Sequence, residues 1–282
     1  MVKKIIGHCY IYLILLLMYI PVLVLIAFSF TTSERVGVWT EWSWELYPAL
    51  FQSEEIMVAL GNTLILALTS AVASVVLGST GAIGAFYSKK RIRHSIDSVT
   101  QIPIVNAEIV MALSLTVMFV FLQSTIFPGN IFSFWTLLIG HVVLSLPFVY
   151  ISVKPKLEQM DPSLYEAAID LGATPHKALW KVIIPEIMPG VASGFLLAIT
   201  LSLDDFVITR FTTGSGLLSG DASIVTLSTY VQGKIKKSNI PTELRALTTI
   251  IFAFVVLGVI SITVYRWYKA KHSKTHADRR RA

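Results

Sequence analysis

Apolar residues gather into six long runs separated by polar, often charged, connections. The runs fall at 10–30, 56–86, 99–122, 131–153, 189–211 and 244–267. A helix rises about 1.5 Å per residue and bilayer hydrocarbon is about 30 Å thick, so each run is long enough to cross as a helix. The pattern predicts an all-α membrane protein, a single transmembrane domain over residues 1–282 with six transmembrane helices. The second run exceeds one crossing. Its glycine-rich end (Gly78, Gly81, Gly84) is expected to tilt, to emerge as helix, or to admit another helix closely. The first run follows Lys3 and Lys4 as a signal peptide would. Its apolar length exceeds a signal core and no A-x-A-like site follows, so it reads as a retained helix. Pro147 and Pro189 read as kink and helix-start residues.

Composition agrees with that pattern. Charged residues make up 14% of the chain, against about 25% in soluble domains, which excludes a water-soluble globule. With 54% hydrophobic residues, a disordered chain is excluded as well. Cys9 is the single cysteine, and the histidines lack metal-ligand spacing, so neither a disulfide scaffold nor a metal site is predicted. Of 23 Lys and Arg residues, 17 fall before the first run, after the second, between the fourth and fifth, and from Arg266 at the end of the sixth through the basic tail 268–282. That asymmetry places both termini in the cytoplasm. A basic face over anionic lipid accounts for the net charge of +6 without a nucleic-acid partner.

The connection 154–188 is long enough to hold structure of its own. Asp161-Pro162 has the form of an N-cap followed by proline at the first helical position. Leu164, Ala167, Ala168 and Leu171 then form an apolar stripe, with Glu166 and Asp170 on the other face. Gly172 stops this helix. Thr174-Pro175 starts a second with Leu179, Val182 and Ile183 as its stripe, and Pro185 is expected to end it. Helices this short need a partner surface. The spacing admits a docking element or an amphipathic loop on the bilayer, and the acidic outer face favours docking.

Acidic residues inside apolar runs cost about 2.5–3.5 kcal/mol each and mark functional sites by default. Glu108 is expected about ten residues into the third run, near mid-bilayer, behind a kink at Pro103 and Asn106. Asp204 and Asp205 are expected in the outer half of the fifth run. Asp204 would share a helix face with Leu197 and Thr200, Asp205 one with Ser202 and Thr209. A cationic cargo would compensate these charges; so would a fixed pair with Arg210, or a carboxyl held neutral. Trp39, Trp42, Trp44 and Tyr47, near Glu34, Glu41 and Glu45, suit cation–π attraction at an entrance, or an interfacial aromatic belt. His141, inside the fourth run, reads as a packing residue ahead of a proton relay. No Ser-His-Asp set, glycine-rich phosphate loop or internal repeat stands out.

Two sets of motifs carry a family resemblance. Glu166-Ala-Ala168, Gly172 and Val182-x-Ile184-Pro185, at the same spacings, resemble the EAA loop of ABC importer permeases. Thr200-Leu-Ser-Leu-Asp-Asp-Phe-Val207 resembles a segment of the spermidine/putrescine (PotC/PotI-like) branch. So do Tyr19-Ile-Pro21, Ser29-Phe30, Glu108 to Ser114 and Leu146-Pro-Phe-Val149. The resemblance implies a type I (MetI-like) permease fold in a prokaryotic inner membrane, coupled through its EAA loop. Its partners would be a second related permease, a dimer of ATPase subunits handling Mg-ATP, and an external polyamine-binding protein. Glu166, Ala167, Ala168, Gly172, Ala173, Thr174, Pro175 and Pro185 would couple to the ATPase, with 173–181 as the coupling helix. Glu108, Asp204, Asp205, Ser202, Thr200, Trp44 and Tyr47 would line the polyamine pathway. The chain itself would bind no cofactor and catalyse nothing, since no G-x-x-x-x-G-K-[ST] occurs. Against the family pattern, Glu108 stands for Asp, Leu46 replaces a Trp before Tyr47, Arg245 replaces Asn near an outer entrance, and the loop 214–237 is expanded around Gly220-Asp221. The competing expectations are another small solute as cargo, or a stand-alone proton-coupled carrier using Glu108 and His141.

Overall fold

The computed structural model describes residues 2–33, 37–126, 129–161, 163–213, 224–236 and 241–279, and all regular elements among them are helices. Five helical segments there are long and apolar enough to cross a membrane: Tyr10–Phe28, Glu54–Tyr87, Glu108–Thr125, Phe134–Gln159 and Pro175–Asp204. Part of the sixth predicted run, and the expansion around Gly220-Asp221, lie outside the residues whose side chains are described. By packing, the chain divides into two compact units, Met1–Met57 with Lys234–Ala282, and Val58–Gly233.

In the first unit, α1 (Val2–Phe28) and α2 (Leu46–Gln52) both pack on a long C-terminal helix beginning at Glu243. Tyr19 meets Phe252 edge-on at 6.3 Å. Leu46 is buried. Phe30 anchors an aromatic cluster, stacked on Trp42 at 5.0 Å and edge-on to Trp44 at 4.8 Å, with Tyr47 at 5.7 Å. The Tyr47 hydroxyl bonds Ser29 at 3.0 Å. Arg245 is buried and donates to the Ser33 carbonyl at 2.7 Å. That bond ties a loop to a helix.

The second unit holds α3 (Glu54–Tyr87, from Val58 on), α4 (Lys90–Val105), α5 (Glu108–Thr125), α6 (Phe134–Gln159), α7 (Ser163–Asp170), α8 (Pro175–Ala178), α9 (Ile184–Asp204) and α10 (Val207–Thr212). A further helix, α11, spans Leu227–Lys236, and α12 is Glu243–Arg279. The centre of the second unit is the long contact between α6 and α9. Small residues permit it, as helix association in lipid relies on close backbone approach. A Cβ on Gly190 would sit 2.7 Å from the Ser152 carbonyl oxygen, and one on Gly194 3.1 Å from the Val149 Cα. Of the three glycines singled out on α3, Gly78 meets Val149 in this way, while Gly81 and Gly84 face open space.

Three sequence expectations about helix continuity are corrected. The third apolar run is two helices: Asn106 and Ala107 are extended between α4 and α5. Pro103, which has no N–H to donate, weakens the ladder one turn before that break. The fifth run also breaks, since α9 ends at Asp204, Asp205 is extended, and α10 follows. Conversely, Pro185 ends no helix. A π turn over Leu179–Ile183, closed by Ile184 N–H donating to the Leu179 carbonyl, joins α8 to α9. The widened turn spares the backbone a donor where Pro185 has none. Pro189 accordingly sits inside α9 and starts nothing.

Candidate functional site

The two breaks face one cleft of about 390 Å³. Pro103, Asn106 and Glu108 reach it from the first break, and Thr200, Asp204, Asp205 and Phe206 from the second; Phe148 of α6 adds a wall. Glu108 is the first residue of α5, not a residue deep inside one continuous helix. That position suits a carboxylate, because a helix N-terminus carries partial positive charge. Asp204 lies at the opposite, C-terminal end of α9, where the dipole opposes its charge.

Asp205 differs from both neighbours. It is buried, and its carboxylate accepts from the Ile208 amide (3.1 Å), the Thr209 amide (2.7 Å) and the Thr209 hydroxyl (2.8 Å). These bonds cap α10, whose first amides would otherwise lack acceptors. The Ser228 hydroxyl donates to the Asp205 carbonyl at 2.8 Å. Glu108 lines the same cleft as Asp205. Asp204 and Glu108 remain exposed. Among the described residues no ion pair joins Arg210 to either aspartate.

Thr200 lines the cleft with Asp204, as the shared face predicts, its hydroxyl donating to the Leu196 carbonyl. Ser202 does not line it. That side chain is buried behind Asp205, bonded to His141 at 2.8 Å and Ser70 at 3.1 Å. Trp44 and Tyr47 belong to the aromatic cluster of the other unit. Sequence reasoning put Thr209 on a face with Asp205 but missed Ser70 and Ser228 as supports of the break. Ser70 is one more hydroxyl within an apolar run, and Ser228 lies in a polar connection, so neither carries a local signal.

In the connection 154–188 the turn at Gly172 and the helix starts at Asp161 and Thr174 form where the sequence marks them. The Asp161 carboxylate accepts from the Ser163 amide and hydroxyl at 2.9 and 2.8 Å, bonds that hold its carboxyl below the usual range; Pro162 lies outside the described residues. Gly172 adopts φ +84°, and its N–H donates to the Ile169 carbonyl while that of Ala173 donates to Ala168. This is a Schellman C-terminus, the left-handed residue being glycine. Thr174 then caps α8, accepting weakly from Lys177 N–H at 3.4 Å, with Pro175 at the first position. The apolar stripe of α7 is corrected. Tyr165 packs on a core containing Leu157, Met160, Ile183 and Ile187. Leu164 and Leu171 face out instead, Leu171 at 89% exposure, and Trp180 is 58% exposed. Glu166 is exposed beside them.

Nearby, α4 is braced to α6. Lys154 Nζ lies 2.8 Å from Asp97 Oδ1, the Tyr150 hydroxyl donates to the same oxygen at 2.7 Å, and Arg93 pairs with Glu158. Burial raises the Asp97 carboxyl, but the bonds from Lys154 and Tyr150 and the charge of Arg93 outweigh it and hold the carboxyl below its usual range.

The described residues form helices, several of membrane length, with two breaks at a shared acidic cleft, an arrangement suited to a membrane transport protein. Comparison makes this specific. Residues 74–274 match the family described as binding-protein-dependent transport system inner membrane component, and the chain belongs to that family. It is 34% identical over 243 residues to the putrescine transport system permease protein PotI of Escherichia coli strain K12, covering 85% of this chain and 82% of that one. It is 32% identical over 230 residues to the spermidine/putrescine transport system permease protein PotC of the same strain, covering 81% and 82%. The Haemophilus influenzae PotC is 31% identical over 235 residues, covering 83% and 86%. In fold it resembles a crystal structure of a bacterial ABC transporter involved in import of the acidic polysaccharide alginate (TM-score 0.71, 17% identity, 95% and 96% covered). The protein is therefore a non-catalytic permease subunit of a binding-protein-dependent ABC importer, homologous to the spermidine/putrescine permeases and resident in the inner membrane.

Proposed function

We propose that the cargo is a polyamine of the spermidine or putrescine type, and that it passes the cleft between the two helix breaks. One observation carries the reading: Glu108 and Asp204, exposed carboxylates from separate breaks, line the same cleft as the buried Asp205. Three acids in one small space favour a cation, and an extended polyamine presents several at fixed spacing. Thr200 adds a polar wall, and Ser202 acts from behind by supporting the break. Trp44 and Tyr47 serve cation–π attraction at the outer entrance. Six helices span the membrane, the last being the apolar part of α12, and both termini are cytoplasmic.

On the cytoplasmic side Glu166, Ala167, Ala168, Gly172, Ala173, Thr174, Pro175 and Pro185 form the coupling element. Exposed Leu171 and Trp180 give it an apolar docking face. The ATPase dimer binds Mg-ATP, closes and draws coupling elements of this chain and a second related permease together. The cavity then opens outward to an external binding protein, and hydrolysis resets it.

The test is ATP-dependent uptake of labelled putrescine and spermidine by the complete complex in liposomes. Saturable uptake of at least one is expected, with KM raised roughly tenfold or more in an E108Q/D204N double variant, because bonds between charged groups are being lost. Absence of uptake of either polyamine, or an unchanged KM in the double variant, would overturn the reading.

A further inference from the structure

His141 is fully buried in α6, yet both ring nitrogens are engaged. Nδ1 lies 2.8 Å from the Ser202 hydroxyl and Nε2 2.9 Å from the Thr209 hydroxyl. Nε2 also lies 3.4 Å from Asp205 Oδ2. Counting protons orders the chain. Each hydroxyl has one proton to donate. That of Thr209 goes to Asp205 Oδ2 at 2.8 Å, so Thr209 accepts from His141 Nε2–H. His141 Nδ1 then accepts from Ser202, and Ser202 accepts from Ser70 at 3.1 Å. The bonds run in one direction, from Ser70 on α3 through α9 and α6 to the carboxylate at the start of α10. Buried polar groups this fully connected specify one arrangement of their surroundings.

We infer that His141 is a positioning residue for the cleft: through Thr209 it fixes the Asp205 carboxylate at the break between α9 and α10, so that an entering cation meets a preset charge. The inference rests on the cation-binding reading of the cleft. His141 itself does not line the cleft and touches no cargo. Without it the Thr209 hydroxyl is free to turn toward the Asp205 carbonyl, 3.4 Å away, which leaves the carboxylate on its two amide bonds alone and less firmly fixed.

Two amide side chains separate this role from mere packing. The amide nitrogen of glutamine reaches about where Nε2 lies and donates as it does, whereas the amide oxygen of asparagine reaches about where Nδ1 lies and accepts as it does. His141→Asn therefore keeps the Ser202 contact and loses Thr209; His141→Gln keeps Thr209. In uptake by the complete complex, the Asn variant is expected to raise polyamine KM about three- to tenfold, the worth of one buried hydrogen bond, with the maximal rate per assembled complex unchanged. The Gln variant recovers most of that loss. Thr209→Val and Thr209→Ser repeat the pair from the other side, Val behaving as Asn and Ser as Gln. Equal KM values for Asn and Gln would overturn the inference.

A second measurement needs no cargo. In a Cys9→Ser background, Phe206→Cys places one thiol in the cleft wall, and its labelling rate by a cationic methanethiosulfonate is compared with that by a neutral one. The ratio is expected to fall several-fold with His141→Asn and to recover with His141→Gln; a ratio the same in all three would overturn the inference. If the wild-type complex moves neither polyamine, the cargo reading fails while the labelling ratio still decides the role of His141.

Discussion

Asp204 and Asp205 are adjacent in sequence and opposite in circumstance. Asp205 accepts two amides and a hydroxyl and closes a helix end, whereas Asp204 is exposed in the cleft. Replacing Asp205 by Asn turns an NH2 group toward donors, so the purified complex is expected to lose about 1–3 kcal/mol of stability. Asp204→Asn should change stability by less than about 0.5 kcal/mol, as surface substitutions do, while weakening cargo binding. Thermal unfolding in detergent set beside uptake distinguishes the two. At Gly172, φ +84° is a conformation an L side chain adopts at a cost of about 1 kcal/mol. Gly172→Ala is therefore expected to lower uptake at constant ATPase content, by distorting the turn between α7 and α8.

Between elements, the α6–α9 contact is closed by backbone approach. A methyl group at Gly190 has the Ser152 carbonyl in its way, so Gly190→Ala is expected to cost about 1–3 kcal/mol through overpacking. Gly81→Ala and Gly84→Ala meet nothing within 4 Å and should leave the melting temperature unchanged or slightly raised. The α4–α6 brace carries a pH signature. The Asp97 carboxyl is held below its usual value by Lys154 and Tyr150 against the effect of burial. Its stabilisation is thus present above the unfolded value of about 3.9 and is lost as pH falls through the lower folded value. Melting curves of wild type and Asp97→Asn should differ most near neutral pH and converge below about pH 4.

For the whole molecule, exposed Leu171 and Trp180 stand beside exposed Glu166. Leu171→Asp with Trp180→Asp is expected to abolish co-purification of the ATPase while membrane insertion and unfolding temperature stay the same, because neither side chain contributes to the core. Orientation has its own measurement. In a Cys9→Ser background, a cysteine at Trp42 should react with an impermeant thiol reagent on intact cells, and one at Ser163 only after permeabilisation. The reverse result would invert the topology read from the Lys and Arg distribution.

Much of this protein was legible in one dimension. Apolar run length, charge asymmetry and the EAA and Asp-Asp motifs establish a membrane permease because hydrocarbon thickness, loop charge and cap chemistry act locally along a chain. Gly172 and Thr174-Pro175 behaved as read for the same reason. Tertiary structure decided where helices stop. Asn106-Ala107 and Asp205 break runs whose hydropathy is continuous, since hydropathy does not register whether a backbone amide has an acceptor. Pro185 continues a helix for the converse reason, a π turn removing the need for its missing donor. That His141 reaches Asp205 through a hydroxyl on another helix, and that Arg245 is spent on the Ser33 carbonyl, depends on contacts between residues 64 and 212 positions apart. No local pattern encodes such pairings, because each partner is satisfied only once the helices have packed.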